Sequence, residues 1–207
     1  VDVHENLPII HGGYDECIHI SDVDYIVEGE HEPLAVLKTF RPTEIDRKIA
    51  QNILPYIVDG ATLQLGIGSM PNAVGELIAE SDLRDLGMHT ELCSDAYLSM
   101  YRAGKLKKKK KKIDRGKGVF GCAIGSPELY EWVDDNHGIA AYPLEYVNRP
   151  SVIAQIDNMV SINSCVSVDL YGQVAAESSG SRQISGTGGQ LDFLVGASAS
   201  RGGKAFI

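Results

Sequence analysis

Hydrophobic and polar residues follow two different spacings in the middle of the chain. After Pro42, apolar residues recur at every fourth position, which is the spacing of one helix face; they are Ile45, Ile49, Ile53 and Ile57. Ala61 to Leu65 is instead a short continuous apolar run, which is typical of a buried strand. The first pattern predicts a helix that ends near Asp59 and Gly60, and the second predicts the strand that follows it.

The same two kinds of segment then alternate along the chain. Strand-like runs are centred on 86–89, 119–124 and 139–142, and helix-like segments on 72–79, 94–103, 126–133 and 150–156. Strands that alternate with helices of this length indicate βαβ units. We therefore expect an α/β fold with a mostly parallel open sheet and flanking helices.

Residues at the starts of three predicted helices support their boundaries. Thr43 with Asp46 three residues later is a pattern typical of a capping box. Pro71 lies in a first turn, where its missing N–H costs nothing, and Ser126 with Pro127 is a cap followed by a first residue.

The two ends of the chain differ from its middle. Residues 1–40 contain short strand-like pieces, Ile18–Ile20 and Tyr25–Val27, between turn residues. After Asn158 the chain is strand-rich, and we expect Phe193 to Ala197 and the final Ala205 to Ile207 to be extended. We interpret 1–40 as an interdomain linker with short strands and 41–207 as one α/β domain. The absence of an initial Met and the apolar end favour a chain truncated at both ends.

Composition and charge exclude several classes of function. The net charge of −9 argues against a nucleic-acid partner, because phosphate binding needs clustered Lys and Arg. No apolar run approaches the roughly 20 residues of a membrane helix. Residues 107–112 are six consecutive lysines, which we interpret as a solvated loop. The four cysteines lack metal-site spacing, and three lie in apolar sequence, which predicts reduced, buried thiols in a cytoplasmic protein.

Candidate chemistry centres on Glu91, which follows an apolar run and precedes a helix that Ser94 could cap. Open α/β sheets bind ligands outside the carboxyl ends of their strands, where this side chain should lie. Most glutamates at such corners are solvated charges or helix-dipole partners. Cys93 is a second candidate nucleophile, although no partner histidine is evident for it.

Two glycine-rich segments accompany Glu91. Gly66–Gly68 lies between a strand and a helix, where backbone N–H groups can approach an anion, but it lacks the third glycine of a dinucleotide site. A simple tight turn explains this segment about equally well. Gly186–Gly189 has three glycines in four residues, which favours close approach of a ligand to the main chain. A carboxylate between two such segments is suited to acyl transfer through a covalent intermediate.

The motifs resemble those of the acetyl-CoA hydrolase/transferase family, in the branch of butyryl-CoA:acetate and 4-hydroxybutyrate CoA-transferases. The resemblance covers essentially the whole chain. It is carried by residues 63–74, 89–91, 146–148, 169–174 and 185–193. It implies a class I CoA-transferase-like catalytic domain. Family members are much longer, with another α/β domain before Val1 and more chain beyond Ile207, and their active site lies between the domains.

The resemblance also implies roles for individual residues. Glu91 corresponds to the nucleophile, which forms a glutamyl-CoA thioester in a ping-pong reaction, and Asn148 to a residue near the acyl group. The segment next to the thioester comprises Gly186, Thr187, Gly188, Gly189 and Gln190. A further active-site loop comprises Gly66, Ile67, Gly68, Ser69 and Asn72.

The expected substrates are a short-chain acyl-CoA such as butyryl-CoA and acetate, in a homo-oligomer that uses no metal and no cofactor besides CoA as substrate. An acyl-CoA hydrolase with the same glutamate is an alternative, and so is a 4-hydroxybutyrate CoA-transferase. A CoA- or nucleotide-binding regulatory module without chemistry is another.

Overall fold

The computed structural model describes residues 1–37, 41–107 and 110–207. Its strands are β1 (Asp2–Val3), β2 (Val27–Glu28), β3 (Thr62–Leu65), β4 (Gly87–Cys93), β5 (Gly118–Ala123), β6 (Ile139–Ala141), β7 (Met159–Ile162), β8 (Ser167–Val168), β9 (Val174–Ala175), β10 (Ser178–Ser179), β11 (Arg182–Gln183) and β12 (Lys204–Phe206). Its helices are α1 (Glu44–Ile53), α2 (Ser69–Glu80), α3 (Asp95–Arg102), α4 (Pro127–Val133), α5 (Leu144–Val147), α6 (Pro150–Ile153) and α7 (Gln190–Ala199). No described helix is long and apolar enough to cross a membrane.

A six-stranded parallel sheet in the order β12-β7-β3-β4-β5-β6 organises the chain. The predicted α/β fold with a mostly parallel sheet is therefore confirmed. The carboxyl ends of parallel strands all lie at one edge of the sheet. At that edge, the carboxyl end of β4 lies between the carboxyl ends of β3 and β5.

Helices cover both faces of the sheet, as parallel sheets require. One apolar cluster contains buried residues of α1, α2, α3 and α4. The other contains Val147 of α5, Ile153 of α6, and Phe193 and Ala197 of α7. The strands between them are buried on both sides, with β3 and β7 buried at every position.

Helix α1 begins as predicted but ends earlier and buries less of its apolar face. Thr43 and Asp46 form both hydrogen bonds of the capping box. Pro55 then lies in a short 3₁₀ turn, Leu54–Tyr56, because proline cannot continue the helix. Ile53 and Ile57 are buried, but Ile45 is 70% and Ile49 is 42% exposed, so only the second half of the stripe enters the core.

Several predictions for the chain ends are wrong. Ile18–Ile20 is not a strand; a 3₁₀ turn forms at Ile20–Asp22. The run from Phe193 to Ala197 lies inside α7, because a short apolar run without clear periodicity fits a buried helix as well as a strand. The final strand is confirmed as β12. The four-residue helix α5 was not predicted.

Two segments lie outside the sheet and its helices. The first, residues 1–37, forms backbone hydrogen bonds at the β6 side of the sheet. Ala141 N donates to His11 O (2.8 Å), and Asp135 N donates to Ile9 O (2.8 Å). The second, residues 164–188, contains the hairpins β8–β9 and β10–β11 and is mostly exposed. The predicted boundary after residue 40 lies outside the described residues, so that division stays a prediction.

The expectations for cysteines and lysines need correction. Cys17, Cys122 and Cys165 are exposed, and Cys93 is buried. Cys17 and Cys165 lie in the two segments outside the sheet, and Cys122 lies near the end of β5. Lys108 and Lys109 lie outside the described residues. Lys111 is only 3% exposed, and its Nζ donates to Met88 O at 3.2 Å, so this part of the run is not a solvated loop.

Candidate active site

Glu91 lies within β4 rather than after it, because this strand continues to Cys93. The ladder between β3 and β4 pairs only Thr62 with Gly87 and Leu63 with Met88. No further pair follows Met88 in this ladder, and a cavity of about 270 Å³ lies at this carboxyl edge. Its lining comes from the ends of β3, β4 and β7 and from the start of α7, the place where open α/β sheets bind ligands.

Two donors converge on one oxygen of the Glu91 carboxylate. The backbone N–H of Gly189 donates to Oε2 at 2.7 Å, and Asn148 Nδ2 donates to the same oxygen at 3.1 Å. Among the residues that the structure describes, none donates a hydrogen bond to Oε1. Two donors therefore hold Oε2, and the described residues supply none to Oε1.

Gly189 is required at its position by space rather than by conformation. Its φ of −75° and ψ of 2° are accessible to any residue. A Cβ there would lie 2.0 Å from Glu91 Oε2 and 2.6 Å from Asn148 Nδ2. Gly189 is also the N-cap of α7, so the positive end of that helix dipole faces the carboxylate.

The rest of the second glycine segment contributes unequally. Gly188 and Gln190 line the cavity, and a Cβ on Gly188 would be at an ordinary 3.7 Å from Glu91 Oε1. Gly186 and Thr187 are exposed, and a Cβ on Gly186 would meet nothing within 4 Å. The structure therefore brings only the last three residues of the predicted group to Glu91.

The first glycine segment is divided in the same way. Gly66 and Ile67 line the cavity. Gly68 has a φ of 125°, a conformation that side chains disfavour, and caps α2. Ser69 and Asn72 lie in the first turn of α2 and are not among the described residues that line the cavity.

A buried group of polar side chains beside the cavity was missed. Gln64 Nε2 donates to Asn163 Oδ1 (2.9 Å), Asn163 Nδ2 donates to Gln64 Oε1 (2.9 Å), and Ser161 Oγ donates to Gln64 Oε1 (2.6 Å). Gln64 and Asn163 line the cavity and are only 4% and 6% exposed. The available signal was a glutamine inside the apolar run 61–65, which a buried strand tolerates only when it is hydrogen-bonded.

The two cysteines near Glu91 differ in access. Cys93 has no exposed surface, which argues against the alternative that it is the nucleophile. Cys122 lies on the neighbouring strand, and its Sγ donates to Glu91 O at 3.7 Å. Burial, followed by the charge of Glu91, raises the pKa of the Cys122 thiol, which disfavours its reactive thiolate form.

One group of possible metal ligands lies away from this cavity. Ligand atoms of His11, Asp135 and His137 are within 4.8 Å of one another. His137 precedes β6, so the group is at the amino end of that strand, whereas Glu91 is at the carboxyl edge of the sheet. His11 Nε2 and Asp135 Oδ1 already form a hydrogen bond of 2.9 Å. These residues therefore add no metal to the Glu91 site.

The chain is similar to known proteins along its whole length. Residues 1–38 match the family model of the acetyl-CoA hydrolase/transferase N-terminal domain, and residues 125–207 match that of the C-terminal domain. The chain is 53% identical over 207 residues to the probable butyrate:acetyl-CoA coenzyme A-transferase of Syntrophomonas wolfei subsp. wolfei, covering 100% of this chain and 46% of that protein. It is 50% identical over 208 residues to the butyryl-CoA:acetate CoA-transferase of Anaerostipes caccae, covering 100% and 47%.

A solved structure has the same fold. The crystal structure of RipA from Yersinia pestis matches with a TM-score of 0.91 at 40% identity, over 99% of this chain and 46% of that one. The chain thus spans less than half the length of these relatives. On the sequence and structural matches together, it belongs to the acetyl-CoA hydrolase/transferase family.

Proposed function

We propose that the whole protein is a CoA-transferase that moves CoA from a short-chain acyl-CoA to a carboxylate such as acetate, with Glu91 as the nucleophile. The observation that carries the proposal is the Glu91 carboxylate, whose Oε2 accepts hydrogen bonds from Gly189 and Asn148 at a cavity that Glu91 itself lines. The names of the two curated relatives, both butyrate or butyryl CoA-transferases, supply the substrate class.

In the first half of the reaction, a Glu91 oxygen attacks the thioester carbonyl of the acyl-CoA. The C–S bond breaks, CoA leaves as a thiolate, and an acyl-glutamyl anhydride remains. The thiolate then attacks the Glu91 carbonyl carbon, the C–O bond to the acyl group breaks, and the acyl group leaves as a carboxylate. This is covalent catalysis, and its product is a glutamyl-CoA thioester. Acetate reverses the sequence and leaves as acetyl-CoA.

The two donors to Oε2 have a defined part in this scheme. If Oε1 attacks, Oε2 becomes the carbonyl oxygen of the anhydride, and negative charge develops on it when the thiolate adds to the same carbon. Hydrogen-bond donors aimed at such an oxygen are each worth about 10²–10³ in rate. The proposed reaction uses no metal and no cofactor other than the CoA of its substrate.

The alternative function, an acyl-CoA hydrolase, differs from the proposed transferase only in the acceptor. The family description names hydrolases and transferases together, and water could attack the same glutamyl thioester. Product analysis with and without acetate separates the two: a transferase makes acetyl-CoA only when acetate is present, and a hydrolase releases free CoA in either case.

The test of the proposed function uses the whole protein. Incubation with butyryl-CoA and no acceptor, followed by borohydride reduction and peptide mass spectrometry, should find a reduced Glu91. Glu91→Gln should fold normally, lose turnover and show no reduced residue. Glu76→Gln, a change of the same kind on the surface of α2, should behave as wild type. Full turnover in Glu91→Gln would exclude Glu91 as the nucleophile.

A further inference from the structure

His89 lies two residues before Glu91 in β4, so the two side chains point to the same face of the sheet. Its register partner on β5 is Val119, which belongs to the apolar cluster of α5, α6 and α7. The imidazole has no exposed surface. A completely buried polar side chain in the strand of the nucleophile has no part in the proposed chemistry, and its contacts indicate another role.

The hydrogen bond of His89 defines its protonation. His89 Nε2 lies 2.8 Å from Val147 O. A carbonyl oxygen can only accept, so Nε2 carries the proton and donates it. Burial, and secondarily the charge of Lys111, lowers the pKa of His89 to about 3, so the ring is neutral near pH 7. The neutral Nε2–H form is therefore a fixed donor to the last residue of α5.

The ring of His89 contacts the helices that supply both donors to Glu91. Its centroid is 6.5 Å from that of Tyr146 in α5 and 6.1 Å from that of Phe193 in α7. Asn148 directly follows α5, and Gly189 directly precedes α7. One side chain of β4 thus touches the elements on which both hydrogen bonds to Oε2 depend.

We propose that His89 is a positioning residue, which holds α5 and α7 at the separation where Asn148 and Gly189 meet on the same oxygen of Glu91. The proposal rests on the proposed function for its effect on turnover, but not for its effect on structure. Helix α5 is a single turn of four residues, too short to keep its place by its own hydrogen bonds. The bond from His89 to Val147 O, one residue before Asn148, fixes it to the strand that carries the nucleophile.

Two variants separate the hydrogen bond from the volume of the ring. His89→Phe keeps a ring of similar size and removes the donor, whereas the amide of His89→Gln can restore a donor near the position of Nε2. Val133→Ala is a matched control. Val133 belongs to the other apolar cluster, so its truncation weakens the core but leaves the contacts of His89 with α5 and α7 in place. Each variant is made in the whole protein.

The kinetic outcome should distinguish positioning from stability. A displacement of about 1 Å can reduce a catalytic rate about 10²-fold. We expect His89→Phe to lower kcat by about 10- to 100-fold with the KM for butyryl-CoA changed by less than about threefold. His89→Gln should recover most of the rate, and Val133→Ala should leave kcat unchanged. Equal kcat in His89→Phe and wild type, or equal losses in the Phe and Gln variants, would overturn the proposal.

A second measurement does not depend on activity. Hydrogen–deuterium exchange should become faster in the peptides covering 144–148 and 189–194 in His89→Phe, and should stay near wild type in His89→Gln. If wild type yields no reduced Glu91, the proposed function fails, and exchange alone then decides the role of His89. Unchanged exchange in both peptides of His89→Phe overturns the positioning role whatever the activity.

Discussion

The two glycine-rich segments have similar sequences and similar places in the fold, yet they use glycine for different reasons. Both precede a helix and both reach the cavity beside Glu91. In the first, Gly68 has a φ of 125°, and a Cβ there would have space, with its nearest neighbour at 3.9 Å. In the second, Gly189 has an ordinary φ of −75°, and a Cβ would lie 2.0 Å from the carboxylate. The first glycine permits a conformation, and the second leaves room for the Glu91 carboxylate.

This difference predicts an effect on stability at one glycine and an effect on the Glu91 carboxylate at the other. Substitution at Gly68 should strain the backbone and weaken the fold, whereas substitution at Gly189 should leave the fold and displace Glu91 or Asn148. A glycine count cannot distinguish these cases, because both needs produce the same residue. The positions of the atoms around each glycine distinguish the two cases.

The largest effect is expected for Gly189→Ala. The added methyl group cannot coexist with the present position of Glu91 Oε2, so the carboxylate must move away from its donors. Turnover should fall by about 10³-fold, the upper range for loss of an oxyanion donor. Steady-state kinetics on the whole protein gives the measurement. Gly186→Ala, where nothing lies within 4 Å, is the matched control and should retain wild-type turnover.

Asn148→Ala removes the side-chain donor to Oε2 and leaves the backbone donor in place. We expect kcat to fall by about 10²-fold, the typical value for one donor. Asn72 lies in the first turn of α2 and is not among the described residues that line the cavity, so Asn72→Ala should change kcat by less than about threefold. Equal losses in the two variants would contradict the assignment of the donor.

Gly68→Ala tests the conformational use of glycine. A φ of 125° is disfavoured for alanine, and holding a residue in such a region costs about 1–3 kcal/mol. We expect the urea unfolding midpoint to drop accordingly while turnover per folded molecule changes less than in Gly189→Ala. A variant as stable as wild type would show that this glycine is not needed for its backbone angles.

The smallest expected effect is the pH dependence of stability that His89 in β4 confers. The pKa of His89 is lowered from 6.5 to about 3, mainly by burial. The unfolded chain therefore binds the proton more readily, so this stability is complete above pH 6.5 and is lost as pH falls toward 3. Between about pH 8 and about pH 5.5, the unfolding free energy should fall about 1.4 kcal/mol more in wild type than in His89→Gln. Equal pH dependence in the two would contradict a neutral, buried imidazole.

The sheet and its helices could be predicted because their residues repeat at regular spacings. Thr43 with Asp46 and Ser126 with Pro127 marked helix starts that the structure confirms. The run from Phe193 to Ala197 was wrongly expected to be extended, because it is apolar at every position and has no periodicity that separates a strand from a buried helix. The exposure of Ile45 and Ile49 could not be predicted either. A periodic apolar pattern shows which residues share a helix face, but it does not show which other elements cover that face.

The site could be predicted only in part. Sequence motifs predicted Glu91 and the glycine segments as site residues. The hydrogen-bond donors that meet the Glu91 carboxylate depend on distances across the folded sheet, which motifs do not give. Gly189 and Asn148 are 98 and 57 residues from Glu91 in sequence and converge on one oxygen only after the strands and helices have packed. Gln64 and Asn163 pair across neighbouring strands, so their role appears only with the register of β3 and β7.

The same separations have a consequence for biosynthesis. Translation adds about 5–20 residues per second, from the N-terminus onward. Gly189 is made 98 residues after Glu91, so the carboxylate leaves the peptidyl-transferase centre about 5–20 s before its backbone donor. The nascent chain therefore contains Glu91 before it contains the backbone N–H that holds its carboxylate. The hydrogen bond from Gly189 to Oε2 can form only after α7 has been made and has packed against the sheet.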